Sequence, residues 1–136
     1  MTNSRTAESK EMYLETILQL SKKQPNLHAV DVANAMGFTK PSVSIAMKNL
    51  REEDYITIDD ESHIHLTEKG RALANMIYDR HRSLTAIFES LGVSPEVSEA
   101  DACKIEHVIS DETFQAIKAH ALSHGIITDA DEEQND

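Results

Sequence analysis

Three side chains that can bind a metal stand close together in residues 102–112, Ala-Cys-Lys-Ile-Glu-His-Val-Ile-Ser-Asp-Glu: Cys103, Glu106 and His107. On a helix these are positions i, i+3 and i+4, which share one face. A thiolate and an imidazole beside a carboxylate suit Fe(II), Mn(II), Co(II), Ni(II) or Zn(II) rather than Ca(II) or Mg(II). The same spacing also fits a half-buried thiol, a solvated acid and a histidine capping the helix end. His81 falls on an apolar stripe between Ile77 and Leu84, as a ligand or as a satisfied core histidine. Met12 and Glu15 are i, i+3 on the first helical stretch, where a core methionine beside a solvated glutamate explains them equally well. His120 and His124 are an i, i+4 pair with no matching acid, which reads as a solvated helix end. Cys103 with His107 could act as nucleophile and base, but such pairs usually come from different elements. There is no Gly-rich phosphate loop and no Gly-x-Ser-x-Gly, so no enzyme and no small organic substrate are expected.

The elements that would position these residues are mostly helical. Apolar residues at Met12, Tyr13, Ile17, Leu18 and Leu20 recur at helical spacing, with Ser9 as the expected N-cap. Ala29, Val32, Ala33 and Met36 line a short helix that Gly37 ends. The turn Phe38-Thr39-Lys40-Pro41 follows, with Pro41 expected at the first position of the next helix and Lys40 biased out of the helical region. That helix carries Val43, Ala46, Met47 and Leu50 on one side and Ser42, Ser44, Ile45 and Lys48 near its open side. The pair reads as helix–turn–helix, the second helix being the reader. Ile56-Thr57-Ile58 and His63-Ile64-His65-Leu66 alternate like strands around a polar turn. A hairpin placed there is the layout of a winged helix. A long helix runs from Thr67 to about Leu91. Ser94-Pro95-Glu96 opens the helix bearing Cys103, and Ser110-Asp111-Glu112 caps a last one with Phe114, Ile117 and Ala121 on one face.

The expected fold is thus mainly α with a small β-hairpin wing. Residues 1–72 would form a winged helix–turn–helix DNA-binding domain, 73–128 a helical metal-binding and dimerisation domain, and 129–136 a disordered acidic tail. Thr39, Lys40, Pro41, Ser42, Ser44 and Lys48 are the candidate DNA contacts, since hydroxyls, a lysine and free N–H groups at a helix N-terminus suit phosphates and base edges. An ordinary capped helix is the alternative, and the hairpin downstream favours DNA.

Net charge is −11 over 136 residues, which alone argues against nucleic acid. Its distribution reverses the argument. Residues 1–82 hold 11 Lys+Arg against 12 Asp+Glu, whereas residues 83–136 hold 2 against 12. A near-neutral first part can present a basic surface, and an acidic second part gains from a divalent cation. No run reaches the length of a membrane span, no signal peptide opens the chain, and a single cysteine fits a reducing compartment, so a cytoplasmic location is expected.

Together these residues resemble the diphtheria toxin repressor family, with its iron-dependent and manganese-dependent branches. The resemblance runs from about Ser9 to Gly125. It is carried by Glu11-Met12-Tyr13-Leu14, by Ala33 to Leu50 with Pro41-Ser42-Val43-Ser44, by Leu66-Thr67-Glu68-Lys69-Gly70, by Arg80-His81-Arg82 and by residues 102–112. It implies that Met12, Cys103, Glu106 and His107 match the activating metal site of the iron branch. Glu15 and His81 match further ligands of the manganese branch, which has an aspartate and a glutamate where this chain has Met12 and Cys103. The ligand set is a mixture. The acid that the iron branch places four residues after the histidine is Thr85 here. The SH3-like domain of longer members is not expected in this chain. The resemblance implies a homodimeric repressor that binds operator DNA when loaded with Fe(II) or Mn(II), one or two ions per subunit. Two other classes compete: a metal-independent or thiol-redox-sensing winged-helix regulator, and a small metal-dependent enzyme.

Overall fold

The computed structural model describes residues 4–128, with side chains from Ser9 onward. The acidic tail expected at 129–136 lies outside the described residues. The elements in chain order are α1 (Ser4–Ser21), α2 (Ala29–Met36), α3 (Lys40–Glu52), β1 (Ile56–Ile58), β2 (Ile64–Leu66), α4 (Glu68–Ser90), α5 (Pro95–Ile105) and α6 (Asp111–Ser123). They form two compact units that divide between Asn75 and Met76, inside the range of α4.

The first unit holds α1, α2, α3, the hairpin and the start of α4. Its core is aliphatic apart from Tyr13: Leu14, Ile17, Leu18, Leu27, Val32, Val43, Met47, Leu50, Ile56 and Ile64 are all buried. α1 begins at Ser4, not at Ser9, because no Gly or Pro interrupts the chain between them. Gly37 ends α2 with φ 70, a conformation that favours glycine. The cap of α3 is Thr39, whose Oγ1 accepts from the Ser42 amide at 3.3 Å. The helix therefore starts at Lys40, and Pro41 occupies its second position rather than its first. A proline is harmless there, since the first four amides of a helix have no partner inside it.

β1 and β2 pair antiparallel, with Ile56 opposite Leu66, Thr57 opposite His65 and Ile58 opposite Ile64. Period-two alternation turns Ile56 and Ile64 to the core and Thr57 and His65 to the other face. The Ile64 amide donates to the Leu27 carbonyl at 2.8 Å, which ties the wing to the unit. The base of the hairpin is locked by Thr67 and Gly70. Thr67 donates from Oγ1 to the Asp54 carbonyl at 2.6 Å and from its amide to the Tyr55 carbonyl at 3.1 Å. Gly70 packs so closely that a Cβ would collide with the Tyr55 carbonyl oxygen. Lys69 lies over the Tyr55 ring, 4.3 Å from its centre.

The second unit comprises the rest of α4 with α5 and α6. Leu84, Ala102 and Phe114 form its buried centre, with Phe88, Ile105 and Ile109 packed against them. Ser94 and Ser110 cap α5 and α6 as expected, accepting from the Val97 and Thr113 amides at 3.4 and 3.1 Å.

Candidate metal centre and reading surface

The buried stripe of α4 explains how the second unit builds its polar centre. Ala74, Ile77, Arg80 and Leu84 are all buried, at the 3–4 residue spacing of one helix face. His81 follows Arg80 at the edge of that face, with its side chain 15% exposed. The helix thus presents an arginine and an imidazole side by side to the end of α5.

α5 ends two residues before His107, which the sequence places on it. It stops at Ile105, Glu106 is its cap with φ −57 and ψ −26, and His107 lies in the turn that follows. Cys103, Glu106 and His107 are therefore not on one uninterrupted helix. The helical path continues only through Glu106, whose amide still bonds the Ala102 carbonyl at 2.9 Å. Beyond it the Val108 and Ile109 amides both return to the Ile105 carbonyl, at 3.0 and 2.9 Å.

A finished helix leaves carbonyls without partners inside it. The turn that follows α5 adds more of them, and Arg80 takes two in that turn. Its Nη1 donates to the carbonyls of Glu106 and Ile109, each at 3.2 Å, and its Nη2 approaches Asp111 Oδ1 at 3.5 Å. Its guanidinium also lies over the Phe114 ring, 5.6 Å from the centre. One buried cation thereby fastens the turn from Glu106 to Asp111 onto α4.

That turn delivers Glu106, which is fully buried, between two imidazoles. His81 Nδ1 is 2.8 Å from Glu106 Oε2, and His107 Nε2 is 3.2 Å from Glu106 Oε1. Burying a carboxylate is costly unless charge and hydrogen bonds compensate it. Imidazole nitrogens and a carboxylate are donor types that suit a first-row divalent ion, and here each imidazole contacts a different oxygen of Glu106. The structure thus brings His81, Glu106 and His107 together in the second unit. Cys103 is exposed on α5. Met12, half-buried, and Glu15, buried, lie on α1 in the first unit. Thr85 donates from Oγ1 to the His81 carbonyl at 2.7 Å. His120 and His124 stack at 4.1 Å on the exposed end of α6.

In the first unit, α3 turns Thr39, Lys40, Pro41, Ser42, Ser44 and Lys48 to the surface, with Val43, Met47 and Leu50 inward. Ile45 is 64% exposed on the same outer side. An exposed isoleucine among hydroxyls and lysines offers an apolar contact for a thymine methyl. Arg80 escaped the sequence reading except as part of a motif. The available signal was its charge on an inward stripe, where a cation needs partners.

Residues 5–64 match the model of the iron dependent repressor N-terminal DNA binding domain, and residues 67–123 match the iron dependent repressor metal binding and dimerisation domain. The chain belongs to the diphtheria toxin repressor/MntR family. The transcriptional regulator MntR of Escherichia coli O6:H1 is 32% identical over 113 residues, which cover 83% of this chain and 73% of MntR. The iron-dependent repressor IdeR of Mycobacterium bovis is 31% identical over 103 residues, covering 75% of this chain and 45% of IdeR. The solved manganese regulator SloR superposes with a TM-score of 0.71 at 28% identity, covering 82% of this chain and 52% of SloR. The chain thus spans about half the length of IdeR and of SloR. The relatives are transcriptional regulators, and among the described residues no helix is long and apolar enough to cross a membrane.

Proposed function

We propose that this chain is a cytoplasmic, metal-responsive transcriptional repressor that binds operator DNA as a homodimer when loaded with Fe(II) or Mn(II) and controls metal homeostasis genes. The observation that carries the reading is the fully buried Glu106 carboxylate between His81 and His107, in a chain of this family. His81, Glu106 and His107 would hold the ion, and Met12, Glu15 and Cys103 would complete one or two sites. A bound divalent ion supplies positive charge and a fixed coordination geometry. Glu106, now the partner of two imidazoles, would serve as a ligand, and Arg80 holds its backbone in place. As ligands, Met12 and Glu15 on α1 would couple metal loading to the reader, residues 1–72, and residues 73–128 would supply the dimer. Thr39, Lys40, Pro41, Ser42, Ser44 and Lys48 then meet successive major grooves about 10 base pairs apart, or a multiple of that. The coupling is reciprocal and on the order of 1–3 kcal/mol.

The test is selection of duplexes from a random DNA library with Mn(II) or Fe(II) under anaerobic conditions, followed by binding isotherms with and without EDTA. Metal-dependent enrichment of a pseudo-palindrome is expected. Binding that ignores chelator would sink the reading. A second reading rests on the exposed thiol of Cys103: a metal-independent regulator that responds to thiol oxidation. In that case mild oxidation, and not metal, would control binding.

A further inference from the structure

An isoleucine that stands alone on a protein surface is ordinary. Ile45 has a more particular setting. It is 64% exposed on α3, whose other side buries Val43, Met47 and Leu50. Its neighbours on the helix surface are the residues three and four positions away. These are Pro41 and Ser42 towards the start of α3, and Lys48 and Asn49 towards its end, all exposed. Pro41 and Ile45 thus form an apolar ridge along the outer face, flanked by Lys40 and Lys48. No acid occurs from Lys40 to Asn49. The start of the helix is fixed as well. Thr39 Oγ1 donates to Ser42 Oγ at 2.9 Å and accepts the Ser42 amide at 3.3 Å. The ridge is therefore presented by a rigid element, one and two turns from a closed cap.

An apolar ridge between cations, free of acids, complements a polyanion that shows an apolar group in a groove. Duplex DNA is such a partner, and α3 lies in a domain of DNA-binding type. In the major groove the one apolar group on a base edge is the C5-methyl of thymine. We propose that Ile45 selects thymine in the operator by packing on that methyl, while Lys40 and Lys48 meet phosphates and carry no sequence information. An isoleucine side chain neither donates nor accepts a hydrogen bond. Against guanine, adenine or cytosine it would cover polar edge atoms and return no bond for the water they lose. Thymine is the base that gains from it. This inference rests on the DNA-binding reading and adds to it the base that is read and the residue that reads it.

The experiment uses the full-length chain with Mn(II) and the duplex that it enriches from a random library. Each thymine is replaced in turn by deoxyuridine, which deletes the methyl and keeps every hydrogen-bonding group. Wild-type affinity should fall about fourfold at one thymine in each half-site, the worth of one buried methyl. Ile45→Ala should bind the thymine duplex more weakly, with the same salt slope, and should be indifferent to deoxyuridine at that position. Ile45 is exposed, so the variant should fold normally, which its thermal midpoint checks. A wild-type protein indifferent to every replacement overturns the proposal, and so does an Ile45→Ala protein that keeps the full deoxyuridine penalty. Enrichment of a duplex without that penalty overturns this proposal alone. Enrichment of no duplex overturns the DNA-binding reading and this proposal with it.

Discussion

Arg80 holds the turn that carries the proposed ligands Glu106 and His107. It bonds the carbonyls of Glu106 and Ile109 from a position 6% exposed. Arg80→Met keeps the bulk and removes both bonds, so the turn carrying Glu106 and His107 should loosen. Metal affinity measured by calorimetry should fall about 10- to 100-fold, the usual effect of losing an outer-shell partner. Hydrogen exchange at the Val108 and Ile109 amides should quicken even in metal-free protein, which separates a positioning role from a ligand role. Asp59 gives a second test at this scale. The hydrogen bond from His65, then the His63 amide, lower its carboxyl pKa from 3.8 to about 2. A group with a depressed folded-state pKa contributes stability above its unfolded pKa and loses it as pH falls through the folded value. The contribution of Asp59 is thus full above pH 3.8 and disappears towards about 2. Carboxyl NMR titration should show that low midpoint, and His65→Gln should move it up; an unchanged midpoint would contradict the assigned cause.

Among the elements, Gly70 is where the fold tolerates least. Gly70→Ala forces a Cβ into the Tyr55 carbonyl at the root of the hairpin. Denaturant unfolding should show a loss of about 1–3 kcal/mol, the range for overpacking a tight contact. The sequence motif Thr67-Glu68-Lys69-Gly70 thus has a steric meaning, which its letters alone do not convey. The helix–turn–helix, the wing and the caps at Gly37, Ser94 and Ser110 were legible because each rests on local chemistry: apolar spacing, a hydroxyl acceptor or a positive φ. The boundaries that differed have local causes too. Ser9 resembles a cap, but nothing before it stops a helix, and Thr39 outcompeted Pro41 as the marker of the start of α3. The end of α5 at Ile105 was not legible, because no Gly or Pro marks it; the turn that follows is held by Arg80, whose partner carbonyls are 26 and 29 residues away. The clustering of His81 with Glu106 and His107 is likewise a long-range event, visible in sequence only through family resemblance. On α3, Lys48→Ala should weaken DNA binding uniformly across sequences and reduce the salt slope by about one, if Lys48 meets a phosphate.

At the scale of the whole molecule, charge is partitioned between the two parts of the chain. Residues 83–136 carry 12 acids against 2 bases, while the near-neutral first part exposes Lys40 and Lys48 on the reader. A cation is therefore most welcome where DNA is least so. On the proposed reading this partition would give metal loading an electrostatic benefit as well as a geometric one, both through Glu106. The most direct measurement is the affinity of the selected duplex for wild-type protein and for Glu106→Ala, titrated with Mn(II) or Fe(II) anaerobically at fixed salt. Wild-type binding should strengthen about 5- to 150-fold on metal loading, the range of ordinary allosteric coupling, and Glu106→Ala should bind DNA weakly at every metal concentration. Equal affinity with and without metal, or a Glu106→Ala protein that still responds fully, would contradict the account.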